Sequence, residues 1–161
     1  MKYDEYEVRE LTIEHEREAF NVLREEFPDH DTPWILNEYE WILIAITKKS
    51  NQVVGVVTLN KYIPRKALLC DIAVEKEHRS QGVAVKLLLA VGELLHDKGY
   101  THLIGFTPLK CTEALKTYKR LSAIQEKMIV STCDLALGIP HVHQIQDKLR
   151  YRQKRRKKDT E

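Results

Sequence analysis

Asp71-Ile72-Ala73-Val74-Glu75-Lys76-Glu77-His78-Arg79-Ser80-Gln81-Gly82-Val83-Ala84 is the stretch that decides the fold. Residues 67–74 read as a strand that ends in a charged loop. From Gly82 onward Val83, Leu87, Ala90, Val91, Leu94 and Leu95 recur at the spacing of a helix laid on a sheet, and Gly99 is placed to stop it. A helix that begins at Gly82 leaves the N–H groups of its first turn unpaired at the positive end of its dipole. Small residues at Gly82 and Ala84 let an anion approach them closely. The loop is therefore a candidate phosphate cradle. It is not a nucleotide P-loop or a dinucleotide-binding turn, because neither the G-x-x-x-x-G-K-[ST] nor the G-x-G-x-x-G spacing is present.

On the N-terminal side, residues 6–11 read as a strand. Residues 14–27 read as a helix with Ala19, Phe20, Leu23 and Phe27 on one face and Thr12 as its cap. Prolines 28 and 33 break the pattern, and a short second helix is expected over 34–39. Residues 41–47, 52–62 and 67–74 form an antiparallel meander through turns at 48–51 and 64–66. On the C-terminal side, 102–106 is a buried type of strand, 112–121 a helix and 123–132 a further strand. Strand 67–74, the long helix and strand 102–106 make a β-α-β unit with a right-handed crossover. The predicted fold class is α/β: a mixed central sheet with an antiparallel N-terminal meander and a parallel centre, flanked by helices.

The 161 residues are 43% hydrophobic and 31% charged with a net charge of +2, the balance of one soluble globular domain. That domain is expected over 1–140, followed by a basic helix or tail over 141–161. The longest apolar run, 41–46, is far shorter than the roughly 20 residues that span a bilayer, and the first twelve residues are too acidic for a secretory signal. No membrane association is expected. Cys70, Cys111 and Cys133 include no C-x-x-C pair, which argues against a disulfide framework or zinc ribbon and for a cytoplasmic setting. His141 and His143 share a face if extended, but no third ligand accompanies them, so no metal is expected. Charge is segregated, with net −9 over residues 1–40 and net +5 over 141–161. The run Lys148 to Lys158 reads as a solvated tail or as an electrostatic grip on nucleic acid. Tyr151 alone is a poor stacking platform, so sequence-specific reading is not expected.

Arg79-Ser80-Gln81-Gly82-Val83-Ala84 resembles the R/Q-x-x-G-x-G/A motif of the GNAT superfamily of N-acetyltransferases, and the element order over 6–132 is similar to that family's sheet order. The resemblance implies acetyl-coenzyme A as co-substrate. It implies that Arg79, Ser80, Gln81, Gly82, Val83 and Ala84 hold the pyrophosphate, and that Ile72, Ala73 and Val74 offer backbone groups to the acetyl and pantetheine portion where the strand splays from its neighbour. Cys111-Thr112-Glu113-Ala114-Leu115-Lys116-Thr117-Tyr118 resembles the family's N-x-x-A-x-x-x-Y segment, which makes Tyr118 the general acid for the departing thiolate. A phenol of ordinary pKa about 10 keeps its proton at neutral pH and can deliver it to a thiolate. For the proton on the amine acceptor, a small molecule or a protein, the candidate base is Asp71. Glu25, Glu26, Asp29, His30 and Asp31 lie in the region that shapes the acceptor pocket in proteins this one resembles. Cys111 stands where the family usually has asparagine, and Ser122-Ala123 where it commonly has Gly-Phe. These departures support the alternative of a non-catalytic coenzyme-binding or regulatory module, associated with nucleic acid through the tail.

Overall fold

The computed structural model describes residues 3–28, 36–106, 116, 128–130 and 134–138. In chain order the main elements are β1 (Tyr6–Glu10), α1 (Glu16–Glu26), β2 (Trp41–Thr47), β3 (Val53–Ile63), β4 (Lys66–Val74), α2 (Val83–Asp97), β5 (His102–Phe106), β6 (Met128–Val130) and β7 (Asp134–Gly138). The seven strands form one sheet in the order β1-β2-β3-β4-β5-β7-β6. Only β4 and β5 run parallel, with α2 as their crossover; every other neighbouring pair is antiparallel. The mixed sheet with an antiparallel meander and a parallel centre is thus the fold that the hydrophobic pattern predicts.

Each face of the sheet carries its own core. On one face Ala19, Val22 and Leu23 of α1 pack with Ile44, Ile46, Val53, Val56 and Ala73. On the other, Val83, Leu87, Leu88, Val91 and Leu95 of α2 pack with Tyr6, Leu43, Ala45, Val54, Val57, Leu59, Ala67, Leu69 and Leu103. β3 is buried along Val53–Leu59 because it lies under both helices. Gly55 sets the distance of α2 from the sheet: a Cβ there would lie 3.0 Å from both Leu87 Cδ1 and Val83 Cγ1. Among the described residues no helix is long and apolar enough to cross a membrane.

Three local expectations are corrected. Thr12 does not cap α1; a 3-10 turn over Ile13–His15 comes first, and the Thr12 hydroxyl meets His15 Nδ1 at 3.2 Å instead of a helix N–H. The expected second helix is a single 3-10 turn, Leu36–Glu38, in its described part. β7 was not expected at all, yet it inserts between β5 and β6. Its residues, Asp-Leu-Ala-Leu-Gly, contain no β-branched side chain to announce a strand. Of the predicted helix 112–121 only Lys116 is described, and it is helical. The tail from residue 141 lies outside the described residues.

Because both atoms that crowd Gly55 belong to buried side chains of α2, Gly55→Ala is expected to cost about 1–3 kcal/mol. Combined with Leu87→Ala it should cost less than the sum of the two single changes, since the truncation makes room for the new methyl. Chemical denaturation of the two single variants and the double variant measures this.

Candidate active site

β4 is paired unequally on its two sides. Its ladder to β3 runs from Lys66 to Val74, whereas its parallel ladder to β5 covers only Lys66–Leu69, ending at the pair Leu69 and Gly105. The break coincides with a bulge: Thr58 pairs with Asp71 and Leu59 with Leu69, leaving Cys70 as the extra residue. A bulge bends its strand and increases its twist. Among the described residues no strand pairs with the β5 side of Cys70–Val74.

The bond from Glu75 N–H to the Val54 carbonyl, 2.8 Å, sets the phase of the upper ladder. By the alternation of an antiparallel pair, Ala73 turns its main-chain groups to β3, while Ile72 and Val74 turn theirs to the open side. Arg79 confirms the direction at Val74, because its Nε donates to the Val74 carbonyl at 3.1 Å. The same guanidinium pairs with Glu26 at the end of α1. Of the three residues expected to offer backbone groups at the opening, two are therefore directed to it, and Ala73 is engaged in the sheet.

After β4 a 3-10 turn, Lys76–His78, leads into the loop. Ser80 and Gly82 both have left-handed backbone, with φ of 62° and 85°. Alternation into that region curls a chain so that successive N–H groups converge, the geometry of an anion-binding nest. The first helical bond of α2 runs from Lys86 N–H to the Gly82 carbonyl at 2.9 Å. The N–H groups just before it have no intrahelical acceptor. The Val83 side chain is buried against the sheet, so only its main chain faces the loop. The Gln81 side chain is also occupied: Oε1 accepts from the Tyr6 hydroxyl at 2.8 Å and Nε2 donates to the Glu77 carbonyl at 3.3 Å. The candidate cradle is accordingly a main-chain one, from Ser80 to Ala84, while the Arg79 guanidinium before it is held by the Val74 carbonyl and Glu26.

On the α1 face of the splay, Asp71 Oδ2 accepts from the Thr58 hydroxyl at 2.7 Å. Tyr39 hydrogen-bonds to the same carboxylate; burial, reinforced by that negative charge, pushes its phenol well above the ordinary range. Tyr39 is therefore a donor that keeps its proton. The neighbouring Cys70 thiol is pushed up to about 11, first by burial and then by the Asp71 charge, so it is a poor nucleophile at neutral pH. Glu25 and Glu26 lie exposed on the last turn of α1. Tyr118, Cys111, Asp29, His30 and Asp31 lie outside the described residues.

Four side chains at this site were not singled out from sequence. Thr58 and Tyr39 reach Asp71 from other elements, Glu75 sits at the end of β4, and Tyr6 binds the loop from β1. Only Thr58, a polar residue within an apolar strand, left a readable trace.

The fold is that of the α/β acyl-CoA N-acyltransferases. A structure of an acetyltransferase of the GNAT family from Staphylococcus aureus Mu50 superposes with a TM-score of 0.68 at 15% identity, over 84% of this chain and 99% of that one. The ribosomal-protein-S18-alanine N-acetyltransferase from Escherichia coli gives 0.63 at 16% identity, over 84% and 95%. A GNAT family acetyltransferase from Elizabethkingia anophelis with acetyl-CoA bound gives 0.62 at 18% identity, over 84% and 99%. No curated protein sequence is significantly similar to the chain. The sequence profile of the acetyltransferase (GNAT) family matches residues 6–122, and the chain belongs to that family.

Glu75 supplies a test of the electrostatics here. Its carboxyl is raised above the ordinary 4.5 mainly by burial; His78 opposes the rise, and Glu25, Glu77 and Glu18 add to it. An acid whose folded-state pKa is raised costs stability once pH climbs past its unfolded value. Glu75→Gln is therefore expected to be more stable than the parent at pH 7, with the gain shrinking as pH falls and gone below about pH 4. Thermal midpoints of both proteins from pH 3.5 to 7.5 check the sign.

Proposed function

We propose that the protein is an acetyl-CoA-dependent N-acetyltransferase that passes the acetyl group directly to a primary amine in the cytoplasm. The observation that carries this reading is the conjunction of an open β4 edge with a left-handed loop at the start of α2. One offers main-chain groups to an extended arm, and the other offers converging N–H groups to the diphosphate at the end of that arm. The acetyl-CoA seen in a structure of the same fold, and the family itself, support the choice of donor.

In this reading the Ser80 to Ala84 main chain and Arg79 hold the diphosphate, and Ile72 and Val74 hydrogen-bond the pantetheine arm. The Arg79 guanidinium then gives up or shares the Val74 carbonyl that it holds in the free protein. Acetyl-CoA supplies an acetyl group activated as a thioester. Holding the thioester and the amine together converts their encounter into an intramolecular one. Asp71, oriented by Thr58 and Tyr39, takes the proton of the bound ammonium directly or through water, so that the nitrogen lone pair is available. As the new C–N bond forms and the C–S bond breaks, Tyr118 gives its proton to the leaving sulfur, and the second proton of the acylated nitrogen passes through water to restore the phenol. The high pKa of Cys70 agrees with direct transfer, without an acyl-cysteine. The acceptor is an amine; the name of the similar Escherichia coli enzyme, a protein-alanine acetyltransferase, makes protein N-termini one class to assay.

Calorimetric titration of the full chain with acetyl-CoA is expected to show one site per chain, and absence of binding would overturn the proposal. Gly82→Ala, which places a side chain on a left-handed residue at the cradle, should weaken that binding about tenfold. Tyr118→Phe should retain acetyl-CoA binding and lose about 10²- to 10⁴-fold in thiol release over an amine panel. A chain that binds the donor but releases no thiol with any amine in either form would instead be a binding module.

A further inference from the structure

Tyr6 is the first residue of β1, at the edge of the sheet, and is 2% exposed. Its ring packs among the α2-face core, and its hydroxyl reaches the loop more than seventy residues away in sequence. The proton arrangement there is constrained. Gln81 Nε2 is spent on the Glu77 carbonyl, so Gln81 Oε1 faces Tyr6 and accepts its single proton at 2.8 Å. The phenol oxygen lies 2.9 Å from His78 Nδ1 and therefore accepts from it, which places the imidazole proton on Nδ1. The bonds run in one direction, from His78 to Tyr6 to Gln81 to Glu77, and close a ring around residues 77–81. The His78 ring also meets the Tyr6 ring edge-on, with centroids 5.7 Å apart at 84°. At the other end of the residue, Lys86 Nζ on the first turn of α2 donates to the Tyr6 carbonyl at 2.5 Å.

We propose that Tyr6 is a positioning residue for the phosphate cradle: its hydroxyl ties His78 to Gln81 and so holds the loop between them in the curled shape that receives a diphosphate. The inference rests on the reading of this loop as the coenzyme A diphosphate site. Ser80, midway in the ring, has a φ of 62°, a conformation that persists in a non-glycine residue only where surrounding contacts over-determine it. The Tyr6 ring of hydrogen bonds is such a set of contacts. Tyr6 itself is fixed by its pairing with Thr47 on β2 and by Lys86 on α2, so the loop is referenced to the sheet and to the helix whose N–H groups complete the cradle. Burial, with a smaller contribution from Glu5, raises the Tyr6 phenol above its ordinary value, so the hydroxyl stays a donor through the neutral range.

The test is calorimetric titration with coenzyme A of the full chain, Tyr6→Phe, Gln81→Leu and the double variant. Tyr6→Phe keeps the packed ring and removes only the hydroxyl, and is expected to weaken coenzyme A about tenfold. Because Tyr6 acts through Gln81, the double variant should bind about as weakly as the weaker single variant. A residue that merely supports the fold would lower the thermal midpoint and leave the affinity of the folded protein unchanged. Amide exchange should quicken at residues 80–84 of Tyr6→Phe and stay unchanged in the middle of α2. Unchanged affinity in Tyr6→Phe, or multiplying effects, would overturn the positioning role while leaving the site itself standing. Failure of the parent chain to bind coenzyme A would overturn both. Should Tyr6→Phe not fold, the cycle is run on His78→Phe and Gln81→Leu, the two ends of the relay, with the same expectation of non-multiplying losses.

Discussion

A single extra residue in β4 governs the rest of the structure. Up to Leu69 the strand is held on both sides, by β3 and by β5; from the Cys70 bulge onward its one strand partner among the described residues is β3. A bulge adds local twist to its strand, and this one falls where the described ladder to β5 ends, at Leu69 and Gly105. By the phase of the β3 ladder the main-chain groups of Ile72 and Val74 face away from β3, to a side where no described strand pairs with them. An unpaired edge in the middle of a sheet has a standing need for hydrogen-bond partners. Arg79 meets part of that need at the Val74 carbonyl.

The two faces of the opening differ in chemistry because the two helices leave different residues uncovered. On the α2 side, apolar side chains of Ile72 and Val74 join the core, and the polar character comes from the start of the helix itself. On the α1 side, Asp71, Thr58 and Tyr39 form a hydrogen-bonded group at the margin of an apolar cluster. Arg79 links the two sides, since it reaches from the loop to Glu26 at the end of α1.

Close packing transmits position between these parts. Gly55 allows Leu87 and Val83 to sit directly on β3, which brings the first turn of α2 down to the sheet beside the loop. Tyr6 occupies the same layer, with its ring in the core and its hydroxyl among the loop residues. The loop before α2 is therefore framed by a buried aromatic ring and a buried helix stripe rather than by local contacts alone. Frames of that kind are stiff because interiors are packed as densely as organic crystals.

By itself the sequence determined what depends on local period and local backbone freedom. The apolar stripe of α2, the runs of β2, β3 and β4, and the glycines at 82 and 99, both left-handed, are short-range signals, and they suffice for the β-α-β unit, the meander and the turn into α2. β7 was illegible because Asp134–Gly138 carries no strand preference of its own and is a strand only through its pairing with β5 and β6. Tertiary structure alone decided that Cys70 is a bulge, that Ala73 faces β3 while Ile72 and Val74 face the opening, that Asp71 meets Thr58 and Tyr39, and that Tyr6 ties the loop. Each of these follows from register or contact between segments far apart in the chain. Pairing energy is shared across strands, so no single window of residues contains it.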